Sequence, residues 1–368
     1  MEKAKISAIQ LFVLVVLFEM GSSILVGVGA DAKQDAWITI LLGMVGGIGL
    51  FHIYYLLFLY YPDIPPTSYV QKITGKFIGR ILAFFYIAYF IYLASRVLRD
   101  FGELLTTTIY SNTPLFIVNS LMILAIIYGI RKGFEVLARV GELYFGLVYI
   151  LAITGILLVM VAGLIHLENL QPILENGWRP VIQTTLSQTL LFPFGEIIVF
   201  TMVLPFVNEQ KKVKKVCIGG MLLSGINITI TIVINIASLG VDQFVRSPFP
   251  LLSTVGKIEI AAFIERLDVL FMLYLIIGGF FKITIFYYAA VAGLADLFQF
   301  KDQRKLVFPI GLIILFASMM IASNYSEHIQ EGLKIVPIYL HWPLQIIFPT
   351  ILLVIAYFRN RKKKAQTS

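Results

Sequence analysis

Charge is scarce in this chain. Asp, Glu, Lys and Arg together make up 14% of its 368 residues, while 59% are hydrophobic. A soluble domain carries about a quarter charged residues, so an ordinary water-exposed surface is excluded. Cysteine is scarcer still: the single Cys217 rules out an intrachain disulfide and reads as a small apolar filler. The four histidines, His52, His166, His328 and His341, lack metal-ligand spacing and read as interfacial or internally satisfied side chains. No phosphate loop, nucleophile elbow or zinc motif is present. Neither a cofactor, a metal nor an enzymatic activity is therefore expected.

What the chain has in abundance is long apolar runs. Stretches of about 20 apolar residues cross a bilayer core, and such runs place spans near 6–29, 36–60, 77–109, 114–130, 139–165, 185–207, 214–240, 264–296, 305–323 and 337–358. The run after the basic start shows no small-x-small cleavage site and reads as a retained first span. Gaps between runs are too short for a soluble domain, so residues 1–368 form one transmembrane domain. The net charge of +8 does not signal nucleic acid, because the basic residues cluster in short connections such as Lys211–Lys215 and Arg359–Lys364. With ten spans, 20 of the 29 basic residues fall on the face of the termini. The positive-inside rule then predicts both termini in the cytoplasm.

Two spans are interrupted. The first contains Phe18-Glu19-Met20-Gly21-Ser22-Ser23-Ile24, and the sixth contains Phe192-Pro193-Phe194-Gly195-Glu196. Each places Phe three residues before Gly with a carboxylate beside the break. Proline and glycine loosen the helix, and non-helical backbone at membrane depth survives only inside protein or around a cavity. Five spans is an odd number, so a second group of five enters from the opposite face. Halves of about 6–165 and 185–358 would form an inverted repeat, and interruptions at corresponding positions point to a midplane site. Gly21, Ser22, Ser23, Ile24, Phe194, Gly195 and Glu196 are the candidate ligand-binding residues.

This pattern resembles the amino acid–polyamine–organocation superfamily, whose all-α polytopic members have a five-plus-five inverted-repeat, LeuT-type fold. A closer resemblance is to the B subunits of bacterial spore germinant receptors, the endospore permease-like family. It rests on the Phe192–Glu196 break, the segment Phe263-Ile264-Glu265-Arg266-Leu267-Asp268 before the eighth span, and the length with a short basic tail. The resemblance covers essentially the whole chain. It implies a subunit that binds a small nutrient, often an amino acid, and acts with a larger A subunit and a lipoprotein C subunit in the spore inner membrane. Ser23 departs from the small-Ser-Gly pattern of superfamily permeases. A proton-coupled amino-acid symporter fits the same fold.

Charges inside the spans complete the candidate set. Glu196 reads either as a ligand contact or as half of an internal ion pair. Glu19, before its break, reads as structural or gating. Arg96, Arg99 and Glu103 share one face of the third span. Arg99 and Glu103 are expected to snorkel to the interface, and Arg96, lying deeper, is expected to pair with Glu196 or Glu103. Lys282 in the eighth span must pair or deprotonate. In the superfamily the eighth span packs on the first break and supplies hydroxyl ligands to cations, a role that would fall to Thr284, with Lys282 standing in for a bound cation. The outer segment from Val241 to Glu265, with its amphipathic stretch Thr254–Ile264, reads as a lid, and the Asp63–Pro66 loop as a partner contact.

Overall fold

The computed structural model describes residues 5–258 and 267–367, with side chains over 5–258 and 269–360. Residues 263–266 of the Phe263–Asp268 motif and 259–265 of the expected lid lie outside the described residues. So do Lys3 and the tail side chains from Arg361 onward.

The chain opens with α1 (Ala8–Met20), started by a capping box in which Ser7 Oγ accepts from the Gln10 amide at 3.1 Å and Gln10 Oε1 accepts from the Ser7 amide at 2.9 Å. Gly21 ends it, and a run of turns leads to α2 (Ala36–Tyr60), α3 (Pro66–Thr74), α4 (Lys76–Thr108), α5 (Leu115–Lys132) and α6 (Phe134–Val161). Proline starts α3, the helix position where its missing N–H is harmless. In the second half, α7 (Trp178–Thr184) relaxes into a π turn at Thr185–Thr189, and after the Pro193 break the chain resumes as a 3₁₀ segment, Phe194–Met202. Then follow α8 (Val213–Leu239), the short α9 (Val241–Arg246) and α10 (Pro250–Val255), α11 (Leu267–Leu297), α12 (Arg304–Met320) and α13 (Tyr325–Gln330). A π-wound stretch over most of 331–347, which contains Pro337 and Pro343, leads into α14 (Phe348–Thr367). Among the described residues there is no strand, only an isolated bridge between Ile6 and Val207.

The expected ten spans are recognisable, with two departures. Among the described residues, eight helices are long and apolar enough to cross a bilayer, and the pair Arg304–Met320 and Tyr325–Ile335, bent by 106°, makes a ninth if counted as one span. Thus the ninth span turns sharply where a straight one was expected. The first contributes only 13 helical residues before its break, because Gly21 halts the helix and the remaining crossing is made of turns.

Burial sorts the spans. α1, the segment Phe194–Met202 and the middle of α11 are almost wholly enclosed, whereas α6 and much of α5 expose Leu121, Leu124, Leu143, Ile150 and Ile153. A lipid-exposed surface is as apolar as the interior, so only contacts distinguish the two, and small residues mark the tight ones. Gly21 meets Gly278 of α11: a Cβ on Gly278 would lie 3.2 Å from Gly21 Cα. The two glycines let the first break rest directly on α11.

Beyond the loop between α2 and α3, whose Asp63 is exposed, α3 is anchored within the fold. Thr67 and Ser68 donate to the buried Asp296 carboxylate at 2.6 and 2.7 Å, and Arg359 donates to the carbonyls of Lys72 and Ile73 at the end of α3, both at 2.8 Å. Tyr69, Val70 and Ile73 pack against Leu352 and Ala356 of α14.

Candidate functional site

The two breaks and α11 meet at an ion pair. Lys282 Nζ lies 2.6 Å from a Glu196 carboxylate oxygen, and both side chains are enclosed. The ammonium also faces two rings, at 4.5 Å from the centre of Phe192 and 4.9 Å from that of Phe18. Phe18 is itself held edge-on by Phe200 and Phe286, at 5.3 and 5.0 Å. A buried lone charge would cost several kcal/mol, on the order of the penalty for one desolvated ion. The carboxylate and the ring quadrupoles supply the compensation.

Around this pair the candidates separate into two groups. Ser22 and Glu196 line a cavity of about 50 Å³, together with Val26, Phe192, Arg96, Asp100 and His341. Gly21, Ser23, Ile24, Phe194 and Gly195 do not reach it. Gly21 is pressed against Lys282, whose Cβ and Cδ would lie 2.9 Å from an added Cβ. Ser23 turns its hydroxyl back to the Glu19 carbonyl, which spends the extra side chain on the helix end. Ile24 and Phe194 are core, and Gly195 abuts the Gln345 amide group. Three buried polar groups near the breaks have no hydrogen-bond partner among the described residues: both Glu19 carboxylate oxygens, Ser22 Oγ and Thr284 Oγ1.

The charges of α4 bond to the bent ninth span and to one another, which corrects two expectations. Arg96 pairs neither with Glu196 nor with Glu103. Its guanidinium lies 3.6 Å from Glu331, donates to Tyr92 Oη at 3.2 Å and to the His328 carbonyl. Glu331 and His328 reach it because the chain folds back after α12, and Gly332 leaves the room: a Cβ there would sit 2.9 Å from Arg96 Cζ. Arg99 does not snorkel. It is buried, paired with Glu103 at 2.7 Å and donating to the Ser318 carbonyl at 3.3 Å.

Two histidines that read as bland are part of this wall. His328 Nε2 lies 2.8 Å from the Asp100 carboxylate. His341 lines the cavity, with Nδ1 2.6 Å from Tyr89 Oη, which also accepts from Gln345 Nε2 at 2.7 Å. The available signal was an imidazole within the apolar tenth run, where an unpartnered ring is costly. Below the cavity, Tyr54 and Tyr86 donate to the carbonyls of Gln345 and Leu344 at 2.5 and 2.7 Å. These bonds fasten the tenth span to α2 and α4.

The cavity is screened from a larger vestibule of about 530 Å³ by residues common to both, Val26, Ile329 and Leu333. Arg246, Lys334 and the Asp31–Gln188 pair surround the vestibule, the last bonded at 2.7 Å. Phe244 and Val245 of α9 lie on its wall, so the described part of the expected lid does border it. At the other face, the Ile6 amide donates to the Phe206 carbonyl at 3.1 Å and the Asn208 amide to the Ile6 carbonyl at 3.0 Å. The cavity is thus parted from the vestibule by three side chains, while the end where the chain begins is tied by backbone bonds.

A family model described as Spore germination protein matches residues 5–326. The chain is 46% identical to Spore germination protein KB of Bacillus subtilis (strain 168), over 99% of this chain and 98% of that one. It is 25% identical to Spore germination protein YndE of the same organism, over 98% and 99%. Among solved structures, MhsT in complex with L-phenylalanine superposes with a TM-score of 0.70 at 14% identity, covering 96% of this chain and 88% of that one. Mhp1, a nucleobase-cation-symport-1 family transporter, does so with a TM-score of 0.62 at 12% identity, over 90% and 75%. These structures give the fold: LeuT-type, with the first and sixth spans broken.

Proposed function

The chain belongs to the spore germination protein family, and from that premise we propose that it is the ligand-sensing membrane subunit of a germinant receptor. It is a multi-pass membrane protein of a receptor and permease-like family, not an enzyme. The ligand is a small polar nutrient, an amino acid in the first reading, bound in the cavity beside Ser22, Phe192 and Glu196. The A subunit and the lipoprotein C subunit are its partners in the spore inner membrane. Both termini face the cytoplasm, and residues 6–165 and 185–358 are inverted repeats.

The observation that carries this reading is the Lys282–Glu196 pair. It places a lysine side chain where the eighth span crosses both breaks, so a contact internal to the chain, 2.6 Å long, joins these three segments. A receptor needs only a ligand that binds one conformation better than another. Closing Val26, Ile329 and Leu333 over an occupied cavity is such a difference. Thr284 on α11 and Glu19 on α1, buried without hydrogen-bond partners among the described residues, are assigned to gating. The symporter reading requires the cavity to open to the other face, through the Tyr54, Tyr86 and Ile6 ties.

A second ligand class is favoured by one observation: each charged group lining the cavity already has a partner within the chain, Arg96 with Glu331, Asp100 with His328 and Glu196 with Lys282. An uncharged polyhydroxyl compound would leave these ion pairs intact once Val26, Ile329 and Leu333 part to join the 50 Å³ cavity to the vestibule. Thermal-shift screening of purified protein against the L-amino acids and a set of hexoses separates the two classes. Uptake of a radiolabelled hit into proteoliposomes, with and without a proton gradient, then separates sensor from symporter. Gradient-driven accumulation would overturn the sensor reading.

A further inference from the structure

An open groove of about 500 Å³ lies far from the cavity, between the start of α4 and the turn that follows α11. Its walls are Ile81, Phe84 and Phe85 from α4 and Leu297 and Phe298 from the α11 end, with Arg80 at its mouth. Its volume is within the roughly 300–1,000 Å³ of small-molecule sites. The surface is concave and aromatic, and the three phenylalanines are each more than half exposed. The far wall is fixed: Gln299 takes a positive φ of 57° and donates to the Asp296 carbonyl at 2.6 Å.

The mouth carries unbalanced charge. Arg80 and Lys76, one helical turn apart and exposed, make no hydrogen bond or ion pair among the described residues. The loop after the groove adds exposed Lys301, Arg304 and Lys305 against one exposed carboxylate, Asp302. Depth fits the same picture. Arg80 lies four residues into α4, about 6 Å along its axis, and Phe85 about 7 Å beyond it. A cation at the headgroup level followed by an apolar channel running into the hydrocarbon is the complement of one molecule, a lipid with an anionic head and an acyl chain.

We propose that this groove is a binding site for an anionic phospholipid, with the headgroup phosphate on Arg80 and Lys76 and one acyl chain along Phe84, Phe85 and Phe298. The site does not depend on the nature of the nutrient ligand. It joins the two helices that carry the sensing residues, since Arg96 lies on α4 and Lys282 on α11. A lipid seated there holds the near ends of those helices together, so membrane composition becomes an input to the receptor. A protein partner is a poorer fit, because the recognition element is one pair of cations beside a small aromatic groove.

The test is native mass spectrometry of the full chain released from nanodiscs of equal parts phosphatidylglycerol and phosphatidylcholine. Wild type is expected to retain phosphatidylglycerol selectively. Arg80→Gln should reduce the retained ratio about fivefold, the effect of one basic residue at a membrane surface, and Arg80→Lys should keep most of it. Equal retention of the two lipids by wild type overturns the proposal, as does wild-type selectivity in Arg80→Gln. Displacement of the lipid by soluble glycerol phosphate as readily as by phosphatidylglycerol would also overturn it, since the chain would then contribute nothing. Arg80 is exposed, so the substitution leaves the fold intact, which the unchanged melting temperature of the variant checks.

Discussion

Replacing Lys282 by Met removes the ammonium and keeps most of the volume, so the effect reads out the charge. Glu196 is left in the protein interior without its 2.6 Å partner. Breaking a buried pair from one side costs about 3–5 kcal/mol, a large part of the stability of most folds. The reverse change, Glu196→Gln, is expected to be milder. Lys282 would keep the Phe18 and Phe192 faces at 4.9 and 4.5 Å, each ring being worth up to about 2 kcal/mol to a desolvated cation. The double variant, with neither charge, should recover most of the loss, because an apolar replacement of a buried pair is often neutral. Unfolding of the purified variants in mixed micelles, followed by the fluorescence of Trp37, Trp178 and Trp342, ranks them. The expected order of stability is wild type near the double variant, then Glu196→Gln, then Lys282→Met. If the double variant is no more stable than Lys282→Met, the pair is not what holds α11 to the broken spans. In spores, Lys282→Met is expected to abolish the germination response at normal expression, and an unaffected response would refute its role in sensing.

Three further outcomes follow from the geometry. Gly21→Ala places a methyl group 2.9 Å from two Lys282 carbons and should destabilise by about 1–3 kcal/mol; an unchanged melt would show that α11 has room to move off the break. Arg96→Glu should impair ligand-induced thermal shift by facing Glu331, and adding Glu331→Arg should restore it, whereas failure of the swap would place Arg96 in contact with ligand instead. Leu333→Trp, at the boundary of vestibule and cavity, should abolish the thermal shift while leaving the melt without ligand within about 1 °C, since the larger ring can extend into the vestibule of about 530 Å³. A retained shift would mean that ligand reaches its site by another route.

The spans and breaks were legible because lipid imposes them locally. A Pro, a Gly and a carboxylate within one apolar run, as at Phe192–Glu196, are unfavourable unless they line something. The same logic singled out Glu196 and Lys282 as charges in need of partners, although Arg96 was the partner expected for Glu196. What the sequence could not disclose was the path of the chain between the ninth and tenth spans. Glu331 and His328 read as residues of a connecting loop, yet the 106° bend after α12 brings them onto α4, more than 200 positions earlier in the chain, and so redirects Arg96 and Asp100. Ser23 shows a smaller version of the same limit. Its position beside the break suggested a ligand contact, but its hydroxyl is taken up by the Glu19 carbonyl one turn back.

The bridge between Ile6 and Val207 carries a mechanical consequence. Ile6 precedes the first broken span and Val207 follows the sixth, so the two are fastened at one end like the arms of a pair of tongs. Neither arm can swing at that end without the other, and their freedom grows with distance from the fastening. With α1 about 20 Å long, a tilt of about 10° at the pivot moves Gly21 by about 3 Å. That is enough to lift Gly21 off its close contact with Gly278 and to change the grip of the two arms on whatever lies between them.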